Sequence, residues 1–242
     1  ELVPVADILG ELRMIKSPEE IESIRQACKV ADLAFDHAAR LIRPGVTELD
    51  IALEIEFFFR RQGLDLAFPV AVVSGERTAM PHGRPSEKKL EPGDFVTMDF
   101  GAKVDGYCSD ITRTVVVGHL PDRQREIYHA VLGAQTLALE AMRPGMEARA
   151  VDAVARDRLE REGLAKYFGH GLGHGLGRVV HDGGRLNPTS STIIEPGQVW
   201  TVEPGVYIEG FGGVRIEDDV VVTEDGIEIL TQSPKELLVL PR

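Results

Sequence analysis

Cysteine is almost absent from this chain, with two residues in 242, Cys28 and Cys108. Two thiols cannot staple a domain of this length, so no disulfide scaffold is expected, and such scarcity suits a reducing cytoplasm. Aromatic residues make up only 6%, with a single tryptophan. No apolar run is long enough to span a bilayer, and the first residues lack the basic and apolar regions of a signal peptide. Positive charge is also short: 27 Lys and Arg face 39 Asp and Glu, for a formal net charge of −12. That balance argues against nucleic acid or an anionic membrane as partner. What is present, 43% apolar and 27% charged residues, is the composition of an ordinary globular protein of one large domain or two small ones. Some of the acidic excess is expected to be metal ligand rather than solvated surface.

Ser17-Pro18-Glu19-Glu20 reads as a helix start, with a Ser N-cap, Pro at the first position and a Glu that completes a capping box. Apolar residues spaced three and four apart carry that helix to about Ile42, where Arg43-Pro44-Gly45 breaks it. Thr47 with Asp50 opens a second helix through about Gln62. A strand-like run, Pro69–Val73, then leads into a polar loop holding Pro81-His82-Gly83.

The stretch Leu90–Thr114 reads as a hairpin centred on Asp105-Gly106, because Asp tolerates and Gly favours the positive φ of a primed turn. Counting outward pairs Val104 with Tyr107 and Gly101 with Asp110. Asp99 and Gly101 share a face, so Asp99 and Asp110 are expected on one side as diagonal neighbours. Two acids on a half-buried face repel unless a cation lies between them. Cys108, two residues before Asp110, reads better as a small buried residue than as a ligand.

The same programme recurs. Arg43-Pro44-Gly45 returns as Arg143-Pro144-Gly145, between helices expected from Pro121 to about Met142 and from about Ala148 to Glu162. Leu90-Glu91-Pro92-Gly93 through Asp99 returns as Ile194-Glu195-Pro196-Gly197 through Glu203, an acid answering an acid. The second hairpin ends in Val214-Arg215-Ile216-Glu217 within a closing strand near Val214–Val222. If Glu209 to Gly213 all loop out, Glu217 pairs with Gly205 and lies diagonal to Glu203. The reading is a duplicated αα-ββ unit, α+β in class, whose two hairpins bring four carboxylates into one central sheet.

Four such carboxylates need cations, and oxygen ligation with one imidazole suits Mn²⁺, Co²⁺, Fe²⁺ or Zn²⁺, with two metals able to share acids. The imidazole is expected from Gly169-His170-Gly171-Leu172-Gly173-His174-Gly175. Its glycines argue against a helix and for backbone passing close to a metal or substrate. His82 and His181 lie at related points of the two repeats and are expected to flank the site. His37, His119 and His129 read as ordinary core or surface histidines.

Met98-Asp99-Phe100-Gly101, Ser109-Asp110-Ile111-Thr112-Arg113-Thr114, Gly173-His174-Gly175 with His181-Asp182, Val202-Glu203-Pro204-Gly205 and Val214-Arg215-Ile216-Glu217-Asp218 together resemble the pita-bread metallopeptidases. Those include methionine aminopeptidases, aminopeptidase P, prolidases and metal-free relatives, and the likeness runs from about Met14. The resemblance implies a pita-bread fold with pseudo-twofold symmetry around a curved antiparallel sheet. It implies two divalent ions, with Asp99 on the first, Asp110 and Glu217 bridging both, and His174 and Glu203 completing the second. The implied mechanism is attack by a hydroxide bridging the two ions, with Glu203 relaying the proton to the leaving nitrogen. His82 and His181 hydrogen-bond the substrate or the tetrahedral intermediate in that scheme. His170, paired with His174, and the segment Leu12–Glu20 look like prolidase and aminopeptidase P, and His170 is expected with His82 and His181 among the substrate-binding residues. The resemblance therefore implies an exopeptidase acting on peptides with proline at the second position. Arg185 matches an arginine that in some prolidases binds the substrate's terminal carboxylate, with an exposed loop arginine as the alternative. A methionine aminopeptidase and a catalytically silent binding module on the same fold are the competing readings. Residues 1–16 are expected to be the end of a linker from a missing N-terminal domain, and 17–242 the catalytic domain. That missing domain is also expected to be needed for closing the site and for a homodimer.

Overall fold

The computed structural model describes residues 8–240. Of the expected linker, residues 1–7 lie outside the described residues. The remainder forms a short helix, α1 (Ile8–Met14), followed by a β-bridge from Ile15 to Gln198.

Both expected capping boxes form. In α2 (Pro18–Ala39) the Ser17 hydroxyl accepts from the Glu20 amide at 3.3 Å, and the Glu20 carboxylate accepts from the Ser17 amide at 2.7 Å. Thr47 and Asp50 exchange the same pair of bonds at 3.0 Å each at the start of α3 (Glu48–Arg61). The second pair of helices, α4 (Asp122–Ala141) and α5 (Ala148–Glu160), starts without side-chain caps. Packing of their apolar faces must hold them instead.

The duplication is visible bond by bond. Gly45, at φ 89°, donates to the Leu90 carbonyl at 2.9 Å, and Gly145, at φ 87°, donates to that of Ile194 at 2.8 Å. Leu90 donates back to Val46 and Ile194 back to Met146, at 2.8 and 2.9 Å. Each half has its own apolar core. Phe35, Ile55, Phe59 and Phe100 fill the first, and Tyr128, Leu159, Trp200 and Val220 the second.

In the first half, strand Phe95–Phe100 lies between Ala71–Ser74 and Ile111–Val117, antiparallel to both. The turn is as read: Val104 pairs with Tyr107, and Asp105 and Gly106 take φ of 50° and 85°. In the second half, Val199–Val202 pairs antiparallel with Asp218–Val222. The halves meet where Glu217 donates its amide to the Thr112 carbonyl at 3.1 Å and the Thr114 hydroxyl donates to the Arg215 carbonyl at 3.0 Å.

The second hairpin departs from expectation. Gly205 pairs with Arg215, not Glu217, and Ile208 pairs with Gly212, so only Glu209, Gly210 and Phe211 loop out. Gly212 and Gly213 stay in the strand because it runs hard against the turn Gly75–Ala79. A Cβ on Gly213 would sit 2.5 Å from the Thr78 carbonyl oxygen. Arg215 opposite Gly205 and Asp218 opposite Val202 then set Glu217 directly across from Glu203, not diagonal to it. The expected continuous strand Val214–Val222 is broken at Ile216-Glu217, as its counterpart is at Ser109-Asp110. The register is the same on either side of each interruption, so neither break inserts a residue.

Two glycines allow the tightest approaches around these breaks. A Cβ on Gly101 would lie 1.9 Å from the Ser109 oxygen, and one on Gly173 would lie 2.0 Å from the Thr201 oxygen. No helix among the described residues is long and apolar enough to cross a membrane.

Candidate active site

At the junction of the halves a cavity of about 480 Å³ opens, lined by Asp99, Asp110, Glu203, Glu217 and His174 together with His82, His170, His181 and Arg185. Every site residue expected from the sequence thus faces one pocket. Asp110, Glu217 and His174 form its tightest group, each offering a ligand atom within 4.8 Å of the others. His174 Nε2 lies 3.5 Å from Asp110 Oδ2 and 3.4 Å from Glu203 Oε1. Its Nδ1 is 3.1 Å from the Gly175 carbonyl. Protonation on Nδ1 satisfies that carbonyl and leaves the Nε2 lone pair turned to the acids, the tautomer a metal ligand needs.

The carboxylates are held where charge is costly. Burial, reinforced by neighbouring acids, pushes the Asp110 and Glu217 carboxyls well above the usual range. Burial also raises Asp99 despite the adjacent Arg215 guanidinium, and Glu203 despite His174. Asp99 Oδ1 is buried without a hydrogen-bond partner. An acid cluster with an imidazole, protonated or repelling when alone, matches the donor set of a hard-to-borderline divalent cation. The residues fit the metal.

A second layer was not assigned from the sequence. Arg215 donates to Asp99 at 2.5 Å, to the Thr112 hydroxyl at 2.9 Å and to the Tyr207 hydroxyl at 3.0 Å. The Thr112 hydroxyl donates in turn to Glu217 at 2.5 Å, and Tyr207 donates to His170 Nε2 at 2.9 Å. The Asp110 amide and the Cys28 thiol both donate to Asp219, at 2.8 and 3.3 Å, while burial lifts the Asp219 carboxyl to about 8. Arg215 stands in the motif Val214–Asp218, but only the folded register shows what it holds.

His170 donates Nδ1–H to the Gly171 carbonyl at 2.8 Å, so both its ring nitrogens are engaged within the protein. What it offers the pocket is ring surface. Burial lowers its pKa from 6.5 to about 4, so between those values the unfolded chain binds a proton that the native chain does not. Native stability therefore falls as pH drops through that window. In His170→Asn the slope of Tm against pH from 6.5 down to about 4 should flatten relative to wild type; an unchanged slope would mean a solvated ring.

His181 is exposed, its ring centroid 4.2 Å from that of His174, and His82 is exposed on the opposite loop. Arg185, paired across a two-residue ladder with His174, has no ion-pair partner among the described residues. The preceding glycines have steric reasons. Gly183 takes φ 94° against Met14, and a Cβ on Gly184 would reach within 2.4 Å of the Trp200 ring.

A duplicated domain that gathers acids and an imidazole at its junction is a metallopeptidase of pita-bread architecture. The profile of metallopeptidase family M24 matches residues 22–224, and the chain belongs to that family. It is 52% identical over 241 residues to the uncharacterised peptidase YqhT of Bacillus subtilis, spanning 99% of this chain and 68% of that protein. It is 44% identical over 239 residues to the Xaa-Pro dipeptidase of Pyrococcus furiosus, spanning 98% of this chain and 69% of that protein. Among solved structures, the Xaa-Pro dipeptidase from Bacillus anthracis superposes with a TM-score of 0.96 at 48% identity, over 98% of this chain and 67% of that one. The X-Pro aminopeptidase from Thermotoga maritima gives 0.94 at 41%, with the same coverage of each chain. The chain thus spans about two thirds of the length of the relatives it matches.

Proposed function

We propose that this metallopeptidase is an exopeptidase that hydrolyses Xaa-Pro bonds with two divalent ions. The observation that carries the reading is the convergence of Asp99, Asp110, His174, Glu203 and Glu217 on one pocket, in a chain whose relatives include proteins named Xaa-Pro dipeptidase and X-Pro aminopeptidase. Asp110 and Glu217, at the two strand breaks, would be shared between the ions, Asp99 would serve one and His174 with Glu203 the other. When bound, the ions supply an activated water near neutral pH and polarise the scissile carbonyl.

The chain's own groups do the rest. Glu203, oriented by the Thr201 hydroxyl at 3.3 Å, moves a proton to the departing proline nitrogen. His82 and His181, one from each half, donate hydrogen bonds to the oxygen that gains charge as the carbonyl carbon becomes tetrahedral. Arg185 receives the substrate's carboxylate. Residues 17–242 act as the catalytic domain. A domain preceding residues 1–16, closing the pocket and building a homodimer, belongs to this reading too, as does a cytoplasmic setting.

Assays on Xaa-Pro dipeptides and longer Xaa-Pro peptides with Mn²⁺ or Co²⁺, with and without chelator, test it. Release of proline that stops on chelation is the expected result, and a twofold or smaller effect of metal removal would overturn it. Preferential release of Met from Met-Ala peptides would reassign the substrate, and a purified protein that retains no metal would mark a silent module.

A further inference from the structure

A buried carboxylate that does not line the pocket has no place in that chemistry. Glu48, in the first turn of α3, is fully buried. Its Oε1 accepts from the amide and hydroxyl of Ser74 at 2.7 and 2.9 Å. Its Oε2 accepts from the amide and hydroxyl of Ser86 at 3.0 and 2.6 Å. Arg77 Nε reaches both oxygens, at 3.2 and 3.1 Å. One side chain therefore ties both ends of the loop 74–86 and one of its interior residues, and His82 is at that loop's crest.

On one side of His82 the loop is fixed from the same anchor, and on the other from Arg215. Arg77, held by Glu48, donates to the Arg84 carbonyl at 2.7 Å on the far side of His82. On the near side Arg215 donates to the Pro81 carbonyl at 3.2 Å. Gly83 donates to Met80 at 3.0 Å and leaves no room for a Cβ, which would meet Val73 at 2.6 Å. A buried ionised acid is expensive unless its lone pairs are filled by donors, and here all the donors come from the segment that carries the histidine. The other half uses the same device at a different position. Asp152, one turn further along α5, binds Arg156 at 2.6 Å and the Leu172 amide at 2.9 Å, and Arg156 donates to the carbonyls of Phe168 and His170.

From this geometry we infer that Glu48 is a positioning residue for His82: it fixes the ring's height over the pocket without touching substrate. This rests on the role given to His82 above. Glu48→Gln keeps the volume but replaces one acceptor oxygen by a donor, which faces a donor amide and hydroxyl of Ser74 or Ser86. Amide hydrogen exchange across residues 75–86 should accelerate by about 10-fold or more, with Phe95–Phe100 and Ile111–Val117 at wild-type rates. Turnover of an Xaa-Pro peptide by the Mn²⁺-loaded chain should fall about 10-fold in kcat with KM little changed. Added to His82→Ala, the same change should cost less than about twofold, because its route to the reaction is already gone. Ser86→Ala, which deletes one hydroxyl donor, gives a milder copy of both effects and takes the place of Glu48→Gln if that variant does not fold. Faster exchange throughout the domain, or an undiminished loss on top of His82→Ala, would overturn the inference. His82→Ala at the wild-type rate would instead overturn the role of His82 itself, a result the exchange data do not share.

Discussion

Asp110→Ala is expected to remove metal-dependent peptidase activity, lowering kcat/KM by roughly four orders of magnitude, ~5.4 kcal/mol of transition-state stabilisation. Asp110 sits in the tightest ligand group and, by the proposed scheme, contacts both ions, so its loss damages two coordination spheres at once. Asp99→Ala should act in the same direction. The stability of the metal-free protein should move the other way. The Asp110 carboxyl is driven up first by burial and then by Asp99, Asp219 and Glu203, so it is a net liability when no cation is near. Asp110→Asn, which keeps the shape, should leave the stripped protein as stable as wild type or more so. Metal content by mass spectrometry and thermal melts on the same samples check both halves. Retention of more than a tenth of wild-type activity in Asp110→Ala would mean that the acid is not a ligand.

Chelation should have the second large effect. Saturation of one site at a hundredfold excess over Kd stabilises a folded protein by about 2.7 kcal/mol, so each ion is worth roughly 5–10 °C in Tm here. The loss should depend on pH. Asp110, Glu217 and Asp219 have raised carboxyl pKa values, the last about 8. The native stripped chain therefore holds protons that the unfolded chain has released, and its stability falls as pH rises from about 5 towards 8. With the cations bound the Asp110 and Glu217 carboxyls are ionised, and tighter binding at higher pH opposes the trend. The gap between the two melting curves should widen from pH 5 to pH 8, and a constant gap would mean that the carboxyls are not the ligands. Calorimetry in paired buffers reads it directly.

Much of this was legible because it is local. A capping box depends on residues three apart, and Asp105-Gly106 dictates its own turn, so α2, α3 and the first hairpin could be read without knowing what they pack against. The repeat then carried Asp99 to Glu203 and made a site from two halves. The second hairpin was misread for the opposite reason. Gly212-Gly213 looks like turn sequence, and what keeps it in the strand is Thr78, brought from more than a hundred residues away, whose hydroxyl accepts from the Gly213 amide and whose carbonyl leaves no room for a Cβ. Arg215, Tyr207, Thr112 and Asp219 were hidden likewise, since each acts through a partner that only the tertiary register supplies. The acid of Glu48 lies in a capping sequence that explains itself and so raised no question.

Gly101 and Gly173 set a boundary on how this molecule could be improved by mutation. Each has a carbonyl oxygen about 2 Å from where a methyl group would begin, so no other amino acid fits without moving a strand that carries a ligand. Replacing glycine in extended backbone is a common route to higher thermostability, yet here the first methyl would shift the ladder beside Asp110 or His174. A variant library built around this pocket should hold these two codons constant and place its diversity on the exposed rim instead.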